Sequence, residues 1–193
     1  MKIVFATANK GKLREAAEIL GPEYEVVSPA DLGIFDDIEE TGSTFQENSL
    51  IKAEYIYRKT GLDCFADDSG LCVDALGGAP GVHSARYATE GHDFEANIRK
   101  LLASLGDSPE RKARFRCVVT LLIGGRAHYF EGTCEGNIAR SKAGCGGFGY
   151  DPVFIPEGYD KTFAELGGDI KNKISHRGRA LAKFAAFMKE RGI

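Results

Sequence analysis

The chain has 193 residues, 43% hydrophobic and 27% charged, which suits one domain with an ample core and excludes disorder. Its net charge of −3 argues against a general nucleic-acid binder, which carries a basic face. Local clusters of Lys and Arg can still receive a small anion. The five cysteines form no C-x-x-C pair, so neither a zinc site nor a redox motif is signalled. Cys64, Cys72 and Cys117 lie in apolar runs and read as buried thiols of a reducing compartment. The N-terminal apolar stretch is too short for a signal peptide, and no run reaches membrane-spanning length. A soluble cytoplasmic protein is expected.

In chain order, "KIVFATA" predicts a strand, and "GKLREAAEIL" places Leu13, Ala16, Ala17 and Leu20 on one helical face. "TFQENSLIKAEYIYRKT" predicts a helix with Thr44 and Glu47 in capping-box spacing and a stop at Gly61. "LDCFA" predicts a short strand ending at Asp67 and Asp68. The following "DDSG" has the composition of a type I turn. "DFEANIRKLLASL" predicts an amphipathic helix capped by Asp93. "ARFRCVVTLLI", Gly124-Gly125 and "RAHYFEGTCEG" predict a long antiparallel hairpin. After a glycine-rich stretch, a last helix from about Ser175 buries Leu181, Phe184, Ala185 and Met188. Helices alternate with strands early and a hairpin sits in the middle, which favours an α/β fold with a mixed sheet. No repeat, low-complexity tract or linker interrupts it, so residues 1–193 are expected to form one large domain or one two-lobed domain.

Several segments combine residue types that chemistry needs. "ATANKGK" joins a strand to a helix start, where backbone N–H groups and the dipole favour phosphate, although it lacks the Walker A pattern. Glu39 and Glu40 precede a helix, where acids are favoured without any function, and Asn48 and Lys52 share one face of that helix. Phe148, flanked by glycines, must either pack on something distant or offer its face to a ligand. Lys171, Lys173, His176 and Arg177 cluster near a helix start, against the dipole, which suggests a nearby anion. Acids at Glu40, Asp67 and Asp68 can hold a hard cation such as Mg²⁺ that bridges to phosphates. Lys12, Lys52, Lys171 and Arg177 can neutralise a polyphosphate, and Phe148 can stack on a base. No Ser, Cys or His sits in an activation motif, so water is the natural nucleophile.

Taken in order, "TANKGK", "EETGSTFQENSLIKA", "ADDSGLCVDALGGAPGVHSARYA", "GGFGYDPVFIP", "TFAEL" and "KNKISHRGRAL" resemble the inosine triphosphate pyrophosphatase family, the XTP/dITP diphosphatases. The resemblance runs from residue 7 to about residue 181. It implies Mg²⁺-dependent hydrolysis of ITP, dITP and XTP to the monophosphate and pyrophosphate. It also implies an elongated mixed sheet, two lobes around an active-site cleft, and a homodimer. Carried over by residue, Thr7, Ala8, Asn9, Lys10, Gly11 and Lys12 line the triphosphate site. Glu40 and Asp68 hold the metal with Asp67 beside them, and Asp68 is the general base. Lys52 and Ser69 contact substrate. Phe148, Gly149, Tyr150 and Asp151 receive the base, and Lys171, His176 and Arg177 complete recognition. The alternatives are a pyrophosphatase for modified pyrimidine nucleotides and a catalytically silent nucleotide-binding protein of the same fold. Neither nucleic acid nor membrane is an expected partner.

Overall fold

In the computed structural model, which describes residues 1–192, six strands form one sheet. The elements run β1 (Lys2–Phe5), α1 (Lys10–Leu20), β2 (Glu25–Val27), α2 (Phe45–Thr60), β3 (Cys64–Val73) and α3 (Phe94–Leu105). Then follow β4 (Lys112–Ile123), β5 (Arg126–Ile138), β6 (Phe154–Pro156), α4 (Phe163–Leu166), α5 (Gly168–Ile174) and α6 (His176–Glu190). The strand order is β2-β1-β3-β4-β5-β6. β1 pairs parallel with β2 and β3, whereas β5 pairs antiparallel with β6, so the sheet is mixed as expected. No helix among the described residues is long and apolar enough to cross a membrane.

Thr44 and Asp93 cap α2 and α3 where the sequence places them, and Asn9 caps α1 as well, each accepting from free amides of the first turn. Glu47 does not close a capping box with Thr44; its carboxylate accepts from the amide and hydroxyl of Ser43 instead. The full box forms later, between Thr162 and Glu165 at the start of α4. Gly124 and Gly125 both have positive φ, 54° and 75°, the backbone that a two-residue hairpin turn requires.

Three expectations are corrected. The two aspartates do not end a strand in a turn: β3 continues through Asp67, Asp68, Ser69 and Gly70 to Val73. Burial on both sides overrides the turn preference of Asp and Gly. Secondly, Ala17 faces solvent while Glu15 is buried beside Ala16, so the buried stripe of α1 includes an acid. Thirdly, Lys171 and Lys173 lie in the last turn of α5, where the helix dipole favours cations rather than opposing them. Only His176 and Arg177 open a helix, α6.

The chain divides into two compact units. The first comprises Met1–Asp68, Cys117–Gly132 and Arg177–Ile193. Within it the strands are covered on both faces. Ile3, Phe5, Phe65, Cys117, Val119 and Leu121 pack with residues of α1 and α6. The intervening Val4, Cys64, Ala66 and Leu122 pack with Ala53 and Ile56 of α2. Such alternation is the period of two of a β-strand. The second unit, Ser69–Arg116 and Thr133–His176, has its own core of Leu71, Val73, Ile98, Leu101, Phe115, Phe154 and Phe163.

Within the second unit, Gly136 of β5 lies so close to β6 that an added Cβ would stand 2.3 Å from the Ile155 carbonyl oxygen. Gly136→Ala should therefore lower stability by about 1–3 kcal/mol through overpacking. Urea unfolding checks this; an unchanged midpoint would mean that β6 yields without cost.

Candidate functional site

The split packing of β3 decides what each aspartate meets. Phe65 and Asp67 face α1 and α6, while Ala66 and Asp68 face α2. Adjacent carboxylates thus enter two different environments.

On the α1–α6 side, Asp67 is 1% exposed and meets two cations. Its Oδ1 accepts from Lys12 Nζ at 3.0 Å and its Oδ2 from Arg177 Nε at 3.0 Å. The Cys117 thiol lies 3.7 Å from the same Oδ2. Arg177 also donates through its NH1 nitrogen to Glu15 Oε2. Burial alone would raise the Asp67 pKa, but Lys12, Arg177 and Lys52 outweigh it and hold the carboxyl well below the usual range. Lys12 stands in the first turn of α1, where its charge opposes the helix dipole, so Asp67 supplies the compensation. The amides of Gly11 and Lys12 are taken up by Asn9 Oδ1 at 2.8 and 3.1 Å, and Thr7 Oγ1 accepts from the Asn9 amide. The Lys12 ammonium is the cation of this turn that the fold holds in place, through Asp67. Ala8 and Lys10 beside it are exposed.

On the α2 side, Asp68 Oδ2 accepts from the Asn48 amide at 3.1 Å, and Lys52 Nζ lies 3.2 Å from Glu40 Oε2. Asn48 and Lys52 share a helical face, as their spacing predicts, and both turn toward acids. Burial pushes the Asp68 pKa up; Lys52 and Lys12 pull it back, Glu40 raises it further, and it stands at about 6. For Lys52, burial works to lower the pKa, but the charges of Glu40, Asp68 and Asp67 prevail and raise it. A cation between Glu40 and Asp68 would relieve their mutual repulsion. Among the described residues no group of three or more His, Cys, Asp or Glu side chains is placed to hold a metal. Mg²⁺ needs no such cage, since it is commonly held by one or two carboxylates plus water and substrate phosphates. The donor set fits that mode.

The second unit carries the remaining candidates. Asp151 and Lys171 form a buried ion pair, Nζ to Oδ2, at 2.6 Å. The same Oδ2 accepts from the Phe148 amide at 3.0 Å, and the Lys171 ammonium lies 4.5 Å from the Phe148 ring centroid. Tyr150 is buried, with its hydroxyl donating to the Ser84 carbonyl at 2.7 Å. Among the described residues, the amides of Gly149 and Tyr150 have no protein acceptor. His176 is buried, its ring stacked on Phe115 at 4.7 Å. Ser69 is half-buried at the start of this unit.

The structure brings together Lys12, Asp67 and Arg177 in the first unit, Glu40, Lys52 and Asp68 also there, and Phe148, Asp151 and Lys171 in the second, whereas the sequence set Arg177 with Lys171 and His176. The sequence reading missed Glu15 and gave Asn48 no acidic partner. Glu15 looks like a surface acid of an amphipathic helix; its one signal is that it follows Lys12 by three residues, on the same face.

The chain is similar to proteins of one family. The family model of the Ham1 family matches residues 3–187. A Porphyromonas gingivalis protein named dITP/XTP pyrophosphatase is 52% identical over 188 residues, covering 97% of each chain. A Bacillus subtilis protein of the same name is 49% identical over 189 residues, covering 96% of each. The solved structure of the Staphylococcus aureus Ham1 protein matches with a TM-score of 0.89 at 43% identity, covering 99% of this chain and 100% of that one.

The acidity of Asp68 predicts a stability effect in metal-free protein. Its pKa is raised from 3.8 to about 6, so the folded state bears a penalty only where the carboxylate is ionised. That penalty is absent below pH about 4 and complete above about 6, where a shift of this size amounts to about 3 kcal/mol. Asp68→Asn should therefore raise Tm at pH 8 in chelator and leave it nearly unchanged at pH 4. Equal effects at both pH values would contradict the assignment.

Proposed function

The chain belongs to the Ham1 family, and on that premise we propose that it hydrolyses non-standard purine nucleoside triphosphates, dITP and XTP among them, to the monophosphate and pyrophosphate. The observation that carries the chemistry is Asp68: buried, held near neutrality, and set among Glu40, Lys52 and Asn48. A base whose pKa lies close to working pH combines a usable ionised fraction with a real affinity for the proton.

In this reading Glu40 and Asp68 would hold Mg²⁺, which supplies charge neutralisation for the phosphates and acidifies water. Asp68 takes a proton from the attacking water as the oxygen adds to phosphorus, and the α–β anhydride linkage opens with pyrophosphate leaving. Lys12 and Lys52 offset the charge on the polyphosphate. Thr7 to Lys12 bound that end of the substrate, with Ser69 as a further contact. Asp67, whose oxygens are engaged by Lys12 and Arg177, serves as a counter-ion rather than as a metal ligand.

Phe148 offers a ring for stacking, steadied by Lys171 and by the bond from its amide to Asp151. The amides of Gly149 and Tyr150 are donors suited to the 6-oxo group of hypoxanthine and xanthine. Adenine would oppose them with an amino donor, and such a mismatch can cost as much as about 10⁴–10⁵ in discrimination. Among the described residues all five cysteines are free thiols, which supports a reducing, cytoplasmic setting. A homodimer is proposed on the resemblance alone.

The test is a product assay with Mg²⁺ over a nucleotide panel. Monophosphate and pyrophosphate should form from dITP, ITP and XTP far faster than from GTP, with ATP at or near the bottom. Cleavage of ATP as fast as ITP would overturn the 6-oxo reading, a pyrimidine preference would favour the sister activity, and no turnover a binding protein. Asp68→Asn should lower kcat by about 10²–10⁴ in a folded protein. Phe148→Ala should weaken binding of every purine by about 1–3 kcal/mol with little change in Tm. A large loss of stability instead would make Phe148 a packing residue.

A further inference from the structure

Glu15 is a buried acid to which the chemistry above gives no task. It lies on α1 one turn beyond Lys12, so the two side chains rise from the same face. Its Oε2 accepts from Arg177 NH1, Arg177 Nε donates to Asp67 Oδ2, and Asp67 Oδ1 accepts from Lys12 Nζ. The contacts close a ring: acid, base, acid, base, returning through a single turn of α1. All four residues belong to the first unit, and the ring carries no net charge. We infer that Glu15 and Arg177 are positioning residues, which hold Lys12 on the polyphosphate by fixing Asp67 from its other side.

The physical reason is competition for one carboxylate. A guanidinium can take both oxygens of a carboxylate in a bidentate fork, whereas an ammonium is a point charge on a flexible stem. Left to itself, buried Arg177 would turn its fork onto Asp67 and displace Lys12. Glu15 holds NH1 while Nε donates to Oδ2 of Asp67, which fixes the carboxylate with its Oδ1 toward Lys12. Lys12 has a long stem beside a helix N-terminus whose dipole repels it. Without Asp67 its ammonium would have no fixed place. Glu15 thus acts at a distance, through two intermediates, on the ammonium of Lys12.

The inference rests on the reading of Lys12 as a polyphosphate ligand, and the experiment separates the two. Inorganic tripolyphosphate, which has no base or sugar, is the probe, measured by inhibition and by calorimetry on the full chain. Lys12→Met should weaken its binding about 10-fold or more. Glu15→Gln, which keeps the shape and loses the charge, should weaken it to a similar degree, raising KM for dITP more than it lowers kcat. In the Lys12→Met background, Glu15→Gln should add less than a 2-fold change. Arg177→Lys, which keeps the charge but lacks the planar group whose separate nitrogens reach Glu15 and Asp67, should behave the same way and serves if Glu15→Gln fails to fold. Losses that multiply in the double variants would overturn the ring while leaving Lys12 as a ligand. Unchanged tripolyphosphate binding by Lys12→Met would overturn the Lys12 reading and the inference with it.

Discussion

A β-strand turns successive side chains to opposite faces, and in β3 that rule separates Asp67 from Asp68. The arrangement of the first unit follows from it. Asp67 shares the face of Phe65, where α1 and α6 bring Lys12, Glu15 and Arg177. Asp68 shares the face of Ala66, where α2 brings Asn48 and Lys52. Two neighbouring residues of one type thereby acquire opposite acidities: one carboxyl is held ionised by cations, the other is lifted toward neutrality by burial and by Glu40. In the proposed chemistry one is an anchor and the other a base.

Burial makes these pairings compulsory rather than optional. A carboxylate as deeply enclosed as Asp67 is tolerated only when charge and hydrogen bonds replace the lost water. Arg177, 2% exposed, is under the same constraint, and Glu15 answers it. Such networks add little net stability, but removing one member strands a buried charge at a cost of about 3–5 kcal/mol. Their use here is geometric, since they define where each charged tip stands. In the second unit the buried Asp151–Lys171 pair has a parallel part, tying the Phe148 turn to α5.

Much of this was legible in the sequence because local chemistry and packing agreed. Thr44 and Asp93 mark helix starts, and Gly124-Gly125 marks the hairpin. Where a tertiary demand overrode a local one, the sequence misled. "DDSG" has a turn's composition, yet burial on both faces keeps it extended. Ala17 fits an apolar stripe better than Glu15 does, but Arg177 draws the acid inward and leaves the alanine in solvent. β2 and β6, each three residues long, and the seven-residue α5 carry too little periodicity to be seen. With α5 unseen, Lys171 and Lys173 looked as though they opposed a dipole that in fact favours them. The partners of Glu40, Asp67 and Asp68 come from residues up to 110 positions apart, a separation that no local pattern records.

The central claim is that the face of β3 on which an aspartate stands decides its work. Binding of Mn²⁺ as a stand-in for Mg²⁺, followed by electron paramagnetic resonance in Asp67→Asn and Asp68→Asn, tests it most directly. The account predicts that Asp68→Asn weakens Mn²⁺ binding by about 10-fold or more, while Asp67→Asn leaves it within about 2-fold, as for a cation held by one or two carboxylates. Equal losses in the two variants would contradict it, because both carboxylates would then serve the same ion.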